Sequence, residues 1–340
     1  MCDIAMMAHA AVAVEPWRVE WREIAVPDPG PDDVVVAVTH SWISNGTEGS
    51  FVRGERIAGD TPRSETDPLP FPHVPGYQKV GVVQWVGGNV RHVSVGDVVF
   101  ATVSRVSGMF YDHGGHVSPA VTHESQVWNL PDGAEPVAFA GLVLTQVGYN
   151  VGVRPSVSAG DAAVVIGDGM VGHWSAQTLQ SRGARVMMLG RHDERLSLFA
   201  LRAGDAVLNI SEDPDWPDHV RRWAADGVQV VADTVGSIAT IESLLPMMRH
   251  EGHISSAGFY GHGGRIDIQM LRNREITLHA PAGWSKERMD ATLAMVNDGT
   301  LQTTHLISHR LPAQEAAHAF DLILHRREPV LGVVLDWVAR

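Results

Sequence analysis

The sequence contains a single cysteine, Cys2, in 340 residues. No intramolecular disulfide can form, and a cysteine-rich zinc site is excluded. Both absences fit a reducing cytoplasm. Basic residues are also scarce, with 26 Lys and Arg against 39 Asp and Glu, a net charge of −13. A broadly acidic surface argues against nucleic acid and against an anionic membrane as partners. No apolar stretch reaches the length of a membrane span. The N-terminal MCDIAMMAHAAVAVEPW is apolar but lacks a leading basic cluster, so its later part reads as a first strand and not as a signal peptide. There are only four Tyr beside ten Trp. Internal repeats and low-complexity tracts are missing.

What is present suits a globular chain with core material for two domains: 44% hydrophobic and 19% charged residues. Residues 11–40 alternate short apolar runs with Pro- and Gly-rich turns, and this texture continues to about residue 130. It predicts a mainly β domain, a partly open barrel. The polar, Pro-rich stretch 53–73 reads as a surface loop, with Pro68 to Pro75 at the rim of a cleft. From about Ala138 strands alternate with helices. Helix-like 193–203, 217–226 and 237–249 precede apolar runs at 206–210, 228–235 and 252–258, and a sixth run follows at 276–279. That order predicts an α/β, doubly wound parallel sheet. Two more helices, 285–298 and 313–325, and a closing strand complete the chain.

The segment 161–195 gives this second half its chemistry. An apolar run, Ala162 to Ile166, leads into Gly167, Gly169 and Gly172 with G-x-G-x-x-G spacing; a helix-compatible segment and a second apolar run follow. A dinucleotide site needs strand, glycine turn and helix in that order. Gly167 permits the turn, Gly169 lets the backbone approach a pyrophosphate, and Gly172 lets helix and strand pack closely. The helix start, with Met170 and Val171, offers N–H groups to phosphate. At the end of the second strand stand Gly190, Arg191 and His192, then Arg195. NAD-binding proteins usually carry an acid at the Gly190 position. Glycine leaves room for a 2′-phosphate and Arg191 can pair with it, which predicts NADP(H). The alternative makes Arg191 a solvated loop charge.

With these motifs the chain resembles the medium-chain dehydrogenase/reductases over nearly its whole length. Asn45-Gly46-Thr47-Glu48 stands where zinc-dependent members carry Cys-x-Ser/Thr-Asp. Pro75-Gly76-Tyr77-Gln78-Lys79-Val80-Gly81 stands where they carry Gly-His-Glu-x-x-Gly. Val95 to Val99, Gly114-Gly115-His116, Asp233-Thr234-Val235-Gly236 and Gly258-Phe259-Tyr260-Gly261 match further family loops. The resemblance implies a GroES-like catalytic domain (residues 1–148 and 284–340), a Rossmann domain (149–283) and an active site in the cleft between them. It adds Thr145, Thr234, Gly258 and Phe259 to the cofactor contacts. The departures are Asn45 and Tyr77 at two zinc-ligand positions and Ala140 near the third, so no metal site is expected. His113 and His116, near Asp112, are the alternative metal pair by spacing. The GTE motif and the GVVLDW ending look most like the zinc-free branch typified by bacteriochlorophyllide a dehydrogenase.

Without zinc, a proton donor must polarise the substrate oxygen. The resemblance nominates Tyr77 as donor, Thr47 as relay, Glu48 as an orienting acid and Asn45 as a substrate hydrogen-bonder. The bland readings are that Tyr77 fills the zinc cavity, Thr47 caps a helical turn and Glu48 is a buried ion-pair partner. Together these imply a zinc-independent, NADP(H)-dependent ketone/secondary-alcohol oxidoreductase acting on a polar cyclic small molecule, sugar- or cyclitol-like. An ene reductase and a non-catalytic NADPH sensor are the rivals. Family analogy suggests a cytoplasmic homodimer through residues 276–280.

Overall fold

A computed structural model describes residues 6–338; Cys2 lies outside the described residues. The chain divides into two compact units, Met1–Val143 with Thr303–Arg340, and Leu144–Gln302. The helix Lys286–Asn297 therefore groups with the second unit, not with the catalytic domain where the sequence reading put residues 284–302. The reason is local. Gln302 accepts from the Trp174 indole (3.0 Å), and its N–H donates to Gln177 (2.8 Å), so this segment is tied to the glycine-turn helix.

In the first unit, β1 (Met6–Glu15) and β2 (Arg18–Val26) form an antiparallel hairpin. The long strand β3 (Asp33–Ile43) is central to a seven-stranded sheet. It pairs with β4 (Lys79–Val86), beyond which come β5 (Val98–Ala101) and β6 (Val127–Asn129), and with the closing strand Gly332–Asp336, which pairs in turn with Ile307–Pro312. Runs of valine drive this: Val34, Val35, Val36 and Val38 on β3, with Val80 and Val83 on β4, are all buried. Gly81 lets β4 lie against β3, because a Cβ there would fall 2.2 Å from the Ala37 carbonyl. The stretch 53–73, expected to be loop throughout, contains a small hairpin, Arg56–Ala58 with Thr61–Pro62, and buries Arg56 and His73.

In the second unit six parallel strands run in spatial order: β9 (Ala206–Asn209), β8 (Arg185–Gly190), β7 (Ala162–Ile166), β10 (Val228–Asp233), β11 (Met248–Ser256), β12 (Thr277–His279). This is the doubly wound order with β7 at the switch point, where such folds bind ligands. The helix-like 193–203 forms only one turn, Asp193–Leu196. Beyond it Phe199 turns into the core. The carbonyl of Ala200 and the N–H of Arg202 are met by the side chains of Gln180 and Asp205 in place of helical partners.

Candidate functional site

In the first unit β3 ends at Ile43, and the turn Ser44-Asn45-Gly46 leads into the short helix α1 (Thr47–Val52). Gly46 is its N-cap, so Thr47 is the first helical residue and not the cap. Glu48 is 1% exposed. One of its oxygens accepts from the Ser44 N–H (2.8 Å), and the other pairs with His116 Nε2 (2.8 Å), itself fully buried. His116 Nδ1 faces the Ser41 hydroxyl at 2.8 Å, and that hydroxyl accepts from the Trp337 indole at 2.8 Å. The carboxylate thus fixes the Nε2–H form of the ring. Glycine makes the approach possible: a Cβ on Gly76, at φ +91°, would meet the His116 ring at 2.7 Å. His113, by contrast, pairs with Asp112 (2.8 Å), so the two histidines of the alternative metal reading point to different partners.

Tyr77 lies close enough to Glu48 to feel its charge. Its hydroxyl bonds the side chains of Ser44 and Thr47, and burial followed by the Glu48 charge pushes its pKa well above the usual phenol value. Gln78 is buried and donates to the Trp42 carbonyl, a structural role (3.0 Å). Asn45 Nδ2 donates to the Leu331 carbonyl (2.6 Å), while Asn45 Oδ1 is buried with no hydrogen-bond partner. Sequence reasoning chose Tyr77, Thr47, Glu48 and Asn45, and the structure brings them together. It missed Ser44, Ser41 and the inward role of His116, which depend on contacts far apart in sequence. No group of three His, Cys, Asp or Glu side chains that could hold a metal occurs among the described residues. Where the resemblance puts the zinc ligands stand a phenol, an amide and Ala140, which are poor or absent donors beside the thiolate and imidazole that zinc prefers.

In the second unit β7 runs into Gly167 at φ +117° and then into α2 (Met170–Ser181). A Cβ on Gly172 would lie 2.0 Å from the Gly167 carbonyl, so that glycine is required for packing. A Cβ on Gly169 would meet nothing within 4 Å, so its surface is open. Gly169 is also the N-cap of α2 and makes no side-chain cap, leaving the first N–H groups to a ligand. The shape fits a dinucleotide. Thr234 Oγ1 donates to the Ile166 carbonyl (2.8 Å), and a Cβ on Gly258 would strike Gly236 N at 2.0 Å. Both therefore pack the loops at the strand ends. Phe259 belongs to the same packing, its carbonyl 2.6 Å from a Cβ built on Gly236. Thr145 is fully buried on the helix Leu142–Val153.

The strand end at Gly190 departs from expectation. The space beside it is filled: a Cβ at Gly190 would lie 2.7 Å from the Asp168 carboxylate. That carboxylate accepts from the N–H of Arg191 (2.7 Å) and His192 (2.8 Å) and pairs with His192 Nδ1 (2.9 Å); Arg195 lies 3.6 Å away. Arg191 and His192 are exposed. The acid is missing from the second strand but arrives from inside the glycine turn.

Residues 30–132 match the alcohol dehydrogenase GroES-like domain, and residues 171–298 match the zinc-binding dehydrogenase domain. A 2-desacetyl-2-hydroxyethyl bacteriochlorophyllide A dehydrogenase of Rhodobacter capsulatus is 28% identical, covering 91% of this chain and 92% of that protein. Among solved structures, a putative zinc-binding dehydrogenase of Sinorhizobium meliloti bound to NADP has a TM-score of 0.81 at 19% identity, covering 97% of this chain and 99% of that one. A short chain alcohol dehydrogenase of Escherichia coli complexed with NADH has a TM-score of 0.82 at 19% identity, covering 97% and 99%. With both domains matched in order along one chain, the protein is an oxidoreductase of the medium-chain dehydrogenase/reductase type.

Proposed function

We propose that the chain is a zinc-independent, NADP(H)-dependent dehydrogenase that interconverts a ketone and a secondary alcohol on a polar cyclic, sugar- or cyclitol-like substrate. The observation that carries the reading is the Tyr77 hydroxyl, held by Ser44 and Thr47 within reach of the buried Glu48 charge. Bound NADP(H) supplies or takes the hydride. The chain's own residues handle the oxygen. Tyr77 stays protonated far above neutral pH, so it serves as hydrogen-bond and proton donor to a carbonyl oxygen and not as a base. The Ser44 and Thr47 hydroxyls then hydrogen-bond the phenolate and relay to it one proton taken up from solvent, which restores the phenol. This arrangement favours carbonyl reduction at neutral pH. Asn45 Oδ1, a buried acceptor with no donor, receives a substrate hydroxyl, which supports a polar substrate. The poor zinc donors Asn45 and Tyr77 support chemistry without a metal. The exposed Arg191, with Arg195 behind it, supports recognition of a 2′-phosphate. Edge strand β12, with Leu278 45% exposed, supports a homodimer, which we place in the cytoplasm.

The test is NADPH turnover against a panel of ketones, enones and oxidised cyclitols, with NADH in parallel and the product identified. An alcohol product with NADPH preferred supports the assignment. A saturated ketone makes the protein an ene reductase, and NADPH binding without turnover on any substrate makes it a sensor.

A further inference from the structure

We propose that Asp168 sets the dinucleotide preference of this protein, by standing in for the acid that the end of β8 lacks. The inference rests on the cofactor reading above. It adds a residue to the nucleotide site that acts against the arginines already placed there.

The geometry is specific. Asp168 lies between Gly167 and Gly169, yet its side chain does not stay with the pyrophosphate turn. It crosses to the end of the neighbouring strand, where it occupies the volume that a side chain at position 190 would need. Two backbone N–H groups, those of Arg191 and His192, point at one carboxylate oxygen, and the His192 ring adds a third bond. Burial pushes the Asp168 pKa up, but those amides and the His192 ring outweigh it and hold the group below the usual carboxylate range. Asp168 is therefore ionised, with only 8% of its side chain exposed, at the place where an adenosine ribose is read.

Three charges then meet at the ribose 2′ position. Arg191 and Arg195 attract a 2′-phosphate. Asp168 repels it, and it occupies two amides that a phosphate oxygen could otherwise accept from. A ribose with a free 2′-hydroxyl is in the opposite position, since it can donate to the carboxylate. Asp168 thus favours NADH while the arginines favour NADPH, and the wild-type preference is the difference of the two. This also accounts for Gly190: with Asp168 in place, any larger residue there collides with it.

The experiment is calorimetric titration of wild type and Asp168→Asn with NADPH, NADH, and the fragments 2′,5′-ADP and 5′-AMP. Asparagine keeps an acceptor for the Arg191 and His192 amides and removes only the charge. The expected result is that the NADPH-to-NADH affinity ratio rises by about tenfold, and the ratio for 2′,5′-ADP over 5′-AMP rises with it. Asp168→Ser gives a second measurement if the asparagine variant is poorly folded, with the same expected direction. Equal loss for all four ligands means Asp168 only braces the loop, and overturns the proposal. A shift toward NADH means it positions Arg195 for phosphate, and overturns it as well. The change in ratio reads Asp168 whichever cofactor wild type prefers. Wild type that binds none of the four refutes the cofactor reading itself.

Discussion

Lys79 offers the sharpest test of how the first unit is balanced. It begins β4 two residues after Tyr77, is fully buried, and its ammonium donates to one carbonyl, Thr102 O, at 2.6 Å. Burial pushes its pKa down from 10.5 to about 7. In the unfolded chain the amine keeps a pKa of about 10.4. Between those values the unfolded state binds more protons, so stability rises with pH through that window. At pH 7 the folded chain carries a penalty of about 4 kcal/mol, and by pH 10 it falls to about 1 kcal/mol. Lys79→Met removes the charge and keeps the length, at the loss of a hydrogen bond of about 1 kcal/mol. The variant is expected to be more stable than wild type by about 3 kcal/mol at pH 7 and about equal to it at pH 10. Urea denaturation of both proteins at the two pH values measures this. Taking the difference between them cancels every other group that titrates in the window. A stability difference that does not change between pH 7 and pH 10 refutes the reasoning.

Tyr77→Phe is expected to lower kcat by about a hundredfold or more with NADPH affinity within about twofold, and Thr47→Val to lower it less; unchanged turnover in both variants removes them from the chemistry. His73 is buried with Nδ1 on the Pro70 carbonyl and Nε2 without a partner, and burial pushes its pKa down to about 4. Stability held above pH 6.5 is therefore lost as pH falls toward 4, by up to about 3 kcal/mol, and His73→Phe should flatten that limb of an acid-denaturation profile. Parallel profiles for the two proteins would contradict the assignment.

The two-unit architecture was legible because its signals are local. Valine runs mark strands, and the spacing of Gly167, Gly169 and Gly172 marks the turn at the switch point. The candidate site was legible only as far as family motifs reached. His116 lies 68 residues from Glu48, and no period or spacing joins them. Asp168 was missed for a different reason. The acid was sought at one position, the end of β8, whereas the fold fills that volume from an adjacent loop. An acid inside the G-x-G, beside a missing acid downstream, was the available signal. The boundary at 284–302 failed because a helical pattern does not say which neighbour the helix packs on; Gln302 decides it by bonding Trp174 and Gln177.

The closing strand Gly332–Asp336 sits inside the first unit's sheet, between β3 and Ile307–Pro312. This sets a schedule for synthesis. The second unit is continuous in sequence, so it can fold while the rest of the chain is still being made. The first unit must wait: Asn45 takes its carbonyl from Leu331, 286 residues later, and Ser41 takes its indole from Trp337, 296 residues later. Until those residues leave the ribosome, the end of β3 from His40 to Ile43 keeps one open edge, and the polar network around His116 lacks its last donor.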